Sequence, residues 1–526
     1  MPYTMINILE YLEQTLERIA DTNKTAFTGS DGAGLTFREL SELSRACGSY
    51  LANNNIKKQP VAVFMQKSPS MIAAFLGVVY GGNSYIPLDS EMPAFRIRLI
   101  LETVNPPLVI CDDLTAALVA EWGLEYPTIN YDEICNYPVD ETILADVRKI
   151  AIDTDPVYVV FTSGSTGTPK GVVATHRSVI DYIENLSIVL GVNEDTVFGN
   201  QSPLYLDACL KEVYTTLKFG SSAYLIPPSL FMFPVKLIEY INEKGINTIC
   251  WVASALSLVA GLGALDATKP KTLQTIAFGS EVFPIKHYNL WREILPEARF
   301  IHLYGPTEAT GMSCFFEATR TYEPEESIPI GHPFPNTEIV LIDDNGKIPE
   351  NGAPGEICIR GTCLSPGYFG DPEKTSNAFT QNPLSAFPDI IYKTGDLGRR
   401  GDEGELYYIS RRDHQIKHMG HRIELAEIEW VANGCDGVGL ACAVFDKIQS
   451  RIILYFVTDD TAESSVEGTD ERMSKSAVRA YLKSNLPRYM LPHSIFQLDE
   501  LPRTPGGKID RVGLLEQYKS EGKDEI

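Results

Sequence analysis

The sequence predicts an α/β protein with an added α+β part. Its large N-terminal domain is built of parallel βα layers and includes a small β-barrel-like subdomain, and a small α+β domain ends the chain. Three observations predict this. Strand-like apolar runs alternate with helical patterns up to about residue 330, the pattern of a parallel sheet covered by helices. From about 326 to 410 the texture changes to short strands and turns. A polar, charged stretch, Ser410-Arg-Arg-Asp-His-Gln-Ile-Lys417, then precedes an independent α+β pattern that ends near residue 515.

The βα alternation begins with VAVFMQ (61–66), followed by a helical stretch through Phe75-Leu-Gly-Val-Val79, and then PLVICD (107–112). SSAYLIPP (221–228) and INTICWV (246–252) each precede a helical pattern. The later strands are Glu338-Ile-Val-Leu-Ile-Asp343, Gly355-Glu-Ile-Cys-Ile-Arg360 and Gly404-Glu-Leu-Tyr-Tyr-Ile409, with a turn at Asp344-Asn-Gly346. Residues 457–475 are acidic and Ser/Thr-rich, which predicts an exposed loop within the last unit.

The 526 residues, 44% hydrophobic and 22% charged, suffice for two to four domains with substantial cores. A formal charge of −24 argues against nucleic acid or an anionic membrane as the main partner. It does not forbid a nucleotide, because a local cationic loop outweighs a distant field. No apolar run reaches the ~18 residues of a membrane span, and the N-terminal segment mixes charges into a helical pattern unlike a signal peptide. The ten cysteines lack CxxC pairs; Cys358 and Cys363 have no His neighbours, so reduced core thiols in a cytoplasmic protein are expected.

Thr162-Ser-Gly-Ser-Thr-Gly-Thr-Pro-Lys-Gly171 follows the apolar, β-branched run Val157-Tyr-Val-Val-Phe161. Three glycines let the backbone turn its N–H groups toward one point, the hydroxyls add donors, and Lys170 adds a mobile charge: the chemistry of a phosphate cradle. The spacing G-x-x-x-x-G-K-[ST] of a P-loop is absent. Taken alone, the segment reads equally as a flexible polar turn.

Eight further segments occur in a fixed order: Leu35-Thr-Phe-Arg-Glu-Leu40, Tyr85-Ile-Pro-Leu-Asp89, Tyr304-Gly-Pro-Thr-Glu308, Gly355-Glu-Ile-Cys-Ile-Arg360, Tyr392-Lys-Thr-Gly-Asp396, Gln415-Ile-Lys417, Gly420-His-Arg-Ile-Glu-Leu425 and Pro505-Gly-Gly-Lys-Ile-Asp510. Together with the 162–171 loop they resemble the adenylate-forming superfamily over nearly the whole chain. The resemblance is nearest to amino-acid-adenylating domains of nonribosomal peptide synthetases and to D-alanine–carrier protein ligases.

That resemblance implies an ATP-dependent ligase with an adenylation core over 1–412 and a mobile domain over 413–526, hinged at Asp413. The cofactors it implies are ATP and Mg²⁺. Thr162, Ser163, Gly164, Ser165, Thr166, Gly167 and Lys170 would hold the phosphates, and Gly279, Ser280 and Glu281 would add nucleotide contacts. Thr307 would touch the α-phosphate, and Glu308 would hold Mg²⁺, a hard cation suited to carboxylate oxygen. Tyr304 would offer a face to adenine, Asp396 would accept from the ribose hydroxyls, and Arg411 would lie near ribose and phosphate. Lys508 would offset charge in the transition state as two anions meet. After domain rotation, the segment around Lys417, Gly420 and Arg422 would face an acceptor thiol. His176 matches a histidine near the site entrance; a packing histidine fits equally well.

Asp207, in Leu204-Tyr-Leu-Asp207-Ala-Cys-Leu-Lys211, matches the aspartate that pairs with a substrate α-ammonium, although Leu206 and Cys209 depart from the usual aromatic and Ser. The pocket implied position by position is Asp207, Ala208, Lys211, Cys250, Ala277, Gly279, Leu303, Gly311 and Met312. A pocket lysine asks for a counter-charge, which suggests a glutamate-like acidic substrate. Alternatively Lys211 folds across or snorkels outward, leaving a pocket for alanine or glycine. A CoA ligase for a non-amino carboxylate is the other reading, and Asp207 argues against it. The residues after Lys508 are too few for a carrier domain, so the expected acceptor is the phosphopantetheine thiol of a carrier protein acting in trans. The chain is expected to be a monomer without nucleic-acid or membrane partners.

Overall fold

The computed structural model describes residues 5–164, 168–350, 352–413, 415–458, 474–504 and 508–521. Ser165, Thr166 and Gly167 of the Gly-rich loop, most of the acidic 457–475 segment, and residues 505–507 before Lys508 lie outside the described residues. The described chain divides into two compact units. One comprises 1–90, 103–161 and 171–412; the other comprises 91–102, 162–170 and 413–526.

The first unit contains the predicted parallel layers, distributed over two sheets. A six-stranded sheet includes the strands Pro60–Phe64, Ser84–Leu88 and Val109–Cys111, paired in parallel. The helix Pro69–Tyr80 between the first two is capped by Ser68, whose hydroxyl accepts from Met71 N–H, with Pro at its first position. A nine-stranded sheet has the parallel central strands Val197–Asn200, Thr248–Val252, Thr275–Gly279 and Arg299–Tyr304. Antiparallel strands close its end, Cys314–Glu317 against Arg299–Tyr304. Alternation in a sequence shows that strands and helices follow one another; it does not show how many sheets share them.

Period-two alternation then separates two cores. Ile276, Phe278, Phe300 and Trp251 turn into one apolar cluster, where Phe278 stacks on His302 at 5.0 Å. Cys250, Ala277, Ile301 and Leu303 turn to the opposite face, toward a cluster with Tyr182, Cys209 and Met312.

The 326–410 region forms a five-stranded antiparallel sheet whose members include Thr337–Ile342, Gly355–Gly361, Ile390–Arg400 and Leu406–Arg411. Its Ile339, Leu341, Ile357 and Ile359 share a cluster with Tyr304 and Ala309, so the end of the large sheet is keyed to the small one.

In the second unit, strands Val438–Asp446, Arg451–Thr458 and Ser494–Gln497 form a three-stranded sheet. It packs with helices Leu425–Asn433 and Lys475–Asn485 over Ile428, Leu454, Phe456 and Leu482. A tight hairpin joins Gln415–His418 to His421–Glu424, with Met419 and Gly420 both at positive φ (52° and 79°), as a twisted two-residue turn requires. All ten cysteines are free, nine buried and Cys135 half-buried.

Candidate active site

A small cavity of about 10 Å³ opens at the carboxyl ends of the parallel strands in the nine-stranded sheet, where α/β sheets place ligands. Strand register builds its wall. Cys250 lies opposite Ala277, and Val252, Gly279 and Leu303 form the next row. Seven of the nine expected pocket residues line the cavity: Ala208, Lys211, Cys250, Ala277, Gly279, Leu303 and Met312. Ser202, Trp251, Val252 and Phe278, which carried no sequence signal, complete the lining with Ser280, which was expected on the nucleotide side. Gly279 is required by a close approach, since a Cβ there would lie 2.3 Å from the Leu303 carbonyl oxygen.

Asp207 and Gly311 stand beside this lining. Asp207 opens a 3₁₀ turn, Asp207–Cys209, that runs into the helix Leu210–Phe219 carrying Lys211. Burial raises the Asp207 carboxyl above the ordinary aspartate value. The Lys211 charge, a hydrogen bond from the Thr307 side chain and one from the Gly311 backbone oppose this, while Glu308 adds to it. Asp207 and Thr307 therefore meet although a hundred residues separate them. Gly311 has φ +84°, and a Cβ there would lie 2.6 Å from the Tyr182 ring. Gly311→Ala is expected to cost about 2–4 kcal/mol, from left-handed backbone strain and overpacking. It should therefore lower the melting temperature, and an unchanged melting temperature would contradict this contact.

The turn after strand Arg299–Tyr304 carries residues expected on the nucleotide side. Thr307, Glu308 and Ala309 form a 3₁₀ turn. Glu308 is fully buried, and its Oε1 accepts from the Tyr368 hydroxyl at 2.8 Å. Tyr304 is buried in the shared cluster, and its hydroxyl donates to Asp396 Oδ2 at 2.7 Å. The other carboxylate oxygen of Asp396 pairs with Arg411 Nη1 at 2.7 Å across neighbouring strands. Each oxygen retains a lone pair beyond the one used, so the carboxylate is oriented and still able to accept. Ser280 has φ +65°, and Glu281 Oε2 accepts from Ser254 N–H at 3.0 Å near the start of helix Ala253–Gly261.

Among the described residues, no three His, Cys, Asp or Glu side chains gather as a metal centre. Glu308, the residue expected to hold Mg²⁺, supplies carboxylate oxygen, the type of donor that cation takes. His176 is a packing residue: it is 4% exposed, its Nδ1 accepts from Ile8 N–H, and burial lowers its pKa to about 4.

The remaining expected residues belong to the second unit. Ser163 Oγ donates to the Arg422 carbonyl at 2.6 Å and accepts from Glu424 N–H at 3.2 Å. Gly164 N–H donates to Glu427 Oε2 at 3.3 Å, and the other oxygen of Glu427 pairs with Arg96. The Gly-rich loop thus presents a backbone donor to a buried carboxylate, the type of group a phosphate cradle accepts. Thr162 is buried and Lys170 half-buried. Lys508 is exposed in a turn, bracketed by the Arg503–Ile509 bridge and by a 2.7 Å bond from Thr504 N–H to its carbonyl. Asp413, the first residue after the 412/413 boundary between units, accepts from Gln415 N–H.

Sequence reasoning missed three residues. Tyr368 holds Glu308 from sixty residues away. Lys67 donates to the carbonyls of Gln201 and Ser202, at 3.3 and 3.0 Å, on the segment that leads into Asp207. Glu212 is buried directly after Lys211. Only Glu212 had a signal available, a carboxylate inside an otherwise apolar helical pattern.

Residues 16–369 match the family described as AMP-binding enzyme. The chain belongs to that family. It is 31% identical over 499 residues to zwittermicin A synthase ZmaJ of Bacillus cereus, covering 91% of this chain and 90% of ZmaJ. It is also 28% identical over 522 residues to tyrocidine synthase 2 of Brevibacillus parabrevis, covering 98% of this chain but only 14% of that relative. The solved structure of holo-PA1221, an NRPS protein containing adenylation and PCP domains, shares the fold, with a TM-score of 0.78 at 22% identity over 98% of this chain and 85% of that one. This AMP-binding enzyme is accordingly similar to proteins of nonribosomal peptide synthesis.

Proposed function

We propose that the chain activates an amino acid with ATP and passes it to the phosphopantetheine thiol of a separate carrier protein, and that the amino acid has a glutamate-like acidic side chain. The observation that carries the reading is the pairing of Asp207 with a pocket containing a buried lysine. Asp207 provides a carboxylate for an α-ammonium, while Lys211, 4% exposed and lining the cavity, provides a cation for a side-chain carboxylate. The small residues Ala208, Ala277 and Gly279 line the same cavity.

In this reading a substrate carboxylate oxygen attacks the α-phosphorus, the bond to the β-phosphate bridging oxygen breaks, and pyrophosphate leaves. Asp396, oriented by Tyr304 and Arg411, holds the ribose hydroxyls. Mg²⁺, when bound at Glu308, supplies neutralisation of phosphate charge. Thr307 bridges the two halves of the chemistry by donating toward Asp207 from the turn that also bears Glu308. Thr162–Gly164 and Lys170 hold the outer phosphates, and Lys508 meets charge developing between carboxylate and α-phosphate. The thiol then attacks the acyl carbonyl and AMP leaves, after the 413–526 domain turns about Asp413. Support for a carrier acceptor comes from PA1221, which joins adenylation and PCP domains.

Lys211→Ala tests the substrate side. It should lower kcat/KM for glutamate relative to glutamine by about tenfold to a hundredfold, the effect of losing a buried charge partner. An unchanged ratio would discard charge pairing and favour the small-substrate reading. Coenzyme A in place of the loaded carrier should be a poor acceptor; equal transfer to both would favour a CoA ligase.

A further inference from the structure

Behind the pocket lies an ionisable cluster that this reading does not use. Glu212 follows Lys211 in the helix Leu210–Phe219, so the two side chains leave the helix in different directions. Glu212 is 1% exposed, and neither carboxylate oxygen has a hydrogen-bond partner among the described residues. Around it are Lys67, Asn200, Cys209, Cys250 and Tyr182, each from a different element. The Asn200 amide lies beside Glu212 and favours its charged form without reaching hydrogen-bond geometry, and both amide atoms are themselves unpartnered. Lys67 is engaged by backbone carbonyls, which leaves Lys211 as the stronger counter-charge.

A buried carboxylate without hydrogen bonds is strongly disfavoured when ionised. Two things can relieve it: the charge of Lys211 or a proton. A substrate carboxylate arriving at Lys211 removes the first.

We propose that Glu212 is a specificity-determining residue that competes with the substrate's side-chain carboxylate for the charge of Lys211, so that an acidic substrate binds with uptake of one proton from solvent by Glu212. The inference rests on the acidic-substrate reading above. With that proton in place, Lys211, Glu212 and the incoming carboxylate sum to zero charge; without it, they sum to one buried negative charge. The position of the Glu212 equilibrium supports this, since burial raises its pKa to about 7 against the opposing effect of Lys211. The sign follows. Below about 7 Glu212 is protonated and Lys211 is available. As pH rises past 7 the required proton becomes scarcer, and binding of an acidic side chain weakens by up to about tenfold per pH unit.

The test compares kcat/KM for glutamate and glutamine in pyrophosphate exchange between about pH 6 and about pH 8.5. The ratio cancels titrations common to both substrates. In the wild type the glutamate-to-glutamine ratio should fall about tenfold between pH 7.5 and 8.5, and in Glu212→Gln it should be flat and higher at alkaline pH. Calorimetry on the wild type at about pH 8, where Glu212 is ionised before binding, needs no variant and, in buffers of different ionisation enthalpy, should show proton uptake with glutamate and not with glutamine. A pH-independent ratio together with equal proton uptake would overturn this inference alone. Failure of the wild type to activate glutamate at any pH, with another amino acid active, would sink the acidic-substrate reading and this inference with it.

Discussion

Lys508→Ala is expected to slow adenylate formation by about 10²–10³-fold, the loss found when one donor aimed at developing charge is removed. Thioester formation from supplied aminoacyl-adenylate should fall less than about tenfold, because the phosphoryl chemistry is then already complete. The asymmetry follows from the role proposed for the Lys508 ammonium at the α-phosphate. Lys508 stands exposed in a turn of the second unit, held at its backbone by the Arg503–Ile509 bridge and the Thr504 N–H, with its ammonium unburdened by burial. An exposed turn lysine contributes little to folding, so the variant should melt like the wild type. Pyrophosphate exchange and single-turnover transfer read the two half-reactions separately. Equal losses in both would remove Lys508 from its assigned role.

Asp207→Asn should lower kcat/KM for the amino acid by about 10²–10³-fold, corresponding to about 3–4 kcal/mol for truncating one partner of a buried ion pair. Asparagine keeps the size and one carbonyl acceptor for the Thr307 and Gly311 donors, so the turn should survive. A substrate analogue lacking the α-amino group serves as the control. It gains nothing from the Asp207 charge, so its already poor activation should change little or improve in the variant. Parallel losses for the amino acid and its deamino analogue would mean that Asp207 supports the 3₁₀ turn and does not bind an ammonium.

The parts of this site that were legible in the sequence are those written locally. Motifs at 207–211, 277–279 and 303–312 lie on successive strands and the turns after them, and strand parity alone sends Cys250, Ala277 and Leu303 to one face. The βα alternation announced parallel layers, but their partition into a six- and a nine-stranded sheet depends on which strands pair at a distance. The same limit hid Tyr368 on Glu308 and Lys67 under the 200–202 backbone, since each is an ordinary residue until the fold brings its partner near. Glu212 was overlooked for a different reason. Beside Lys211 it resembles half of an exposed helical charge pair, yet residues one apart in a helix point different ways, and here both point inward. Lys211 itself supported two substrate readings; its burial at the cavity wall argues against outward snorkelling, and fits both an acidic substrate and a lysine folded across a pocket for a small one.

The central claim, amino-acid-dependent adenylation with an acidic preference, is tested most directly by initial rates of ATP–pyrophosphate exchange in the wild-type protein. The substrates are glutamate, aspartate and alanine as both enantiomers, with non-amino carboxylates alongside. The account predicts exchange that requires an amino acid and is fastest with a glutamate-like side chain. Exchange driven only by carboxylates without an amino group, or no exchange with any of them, would contradict it.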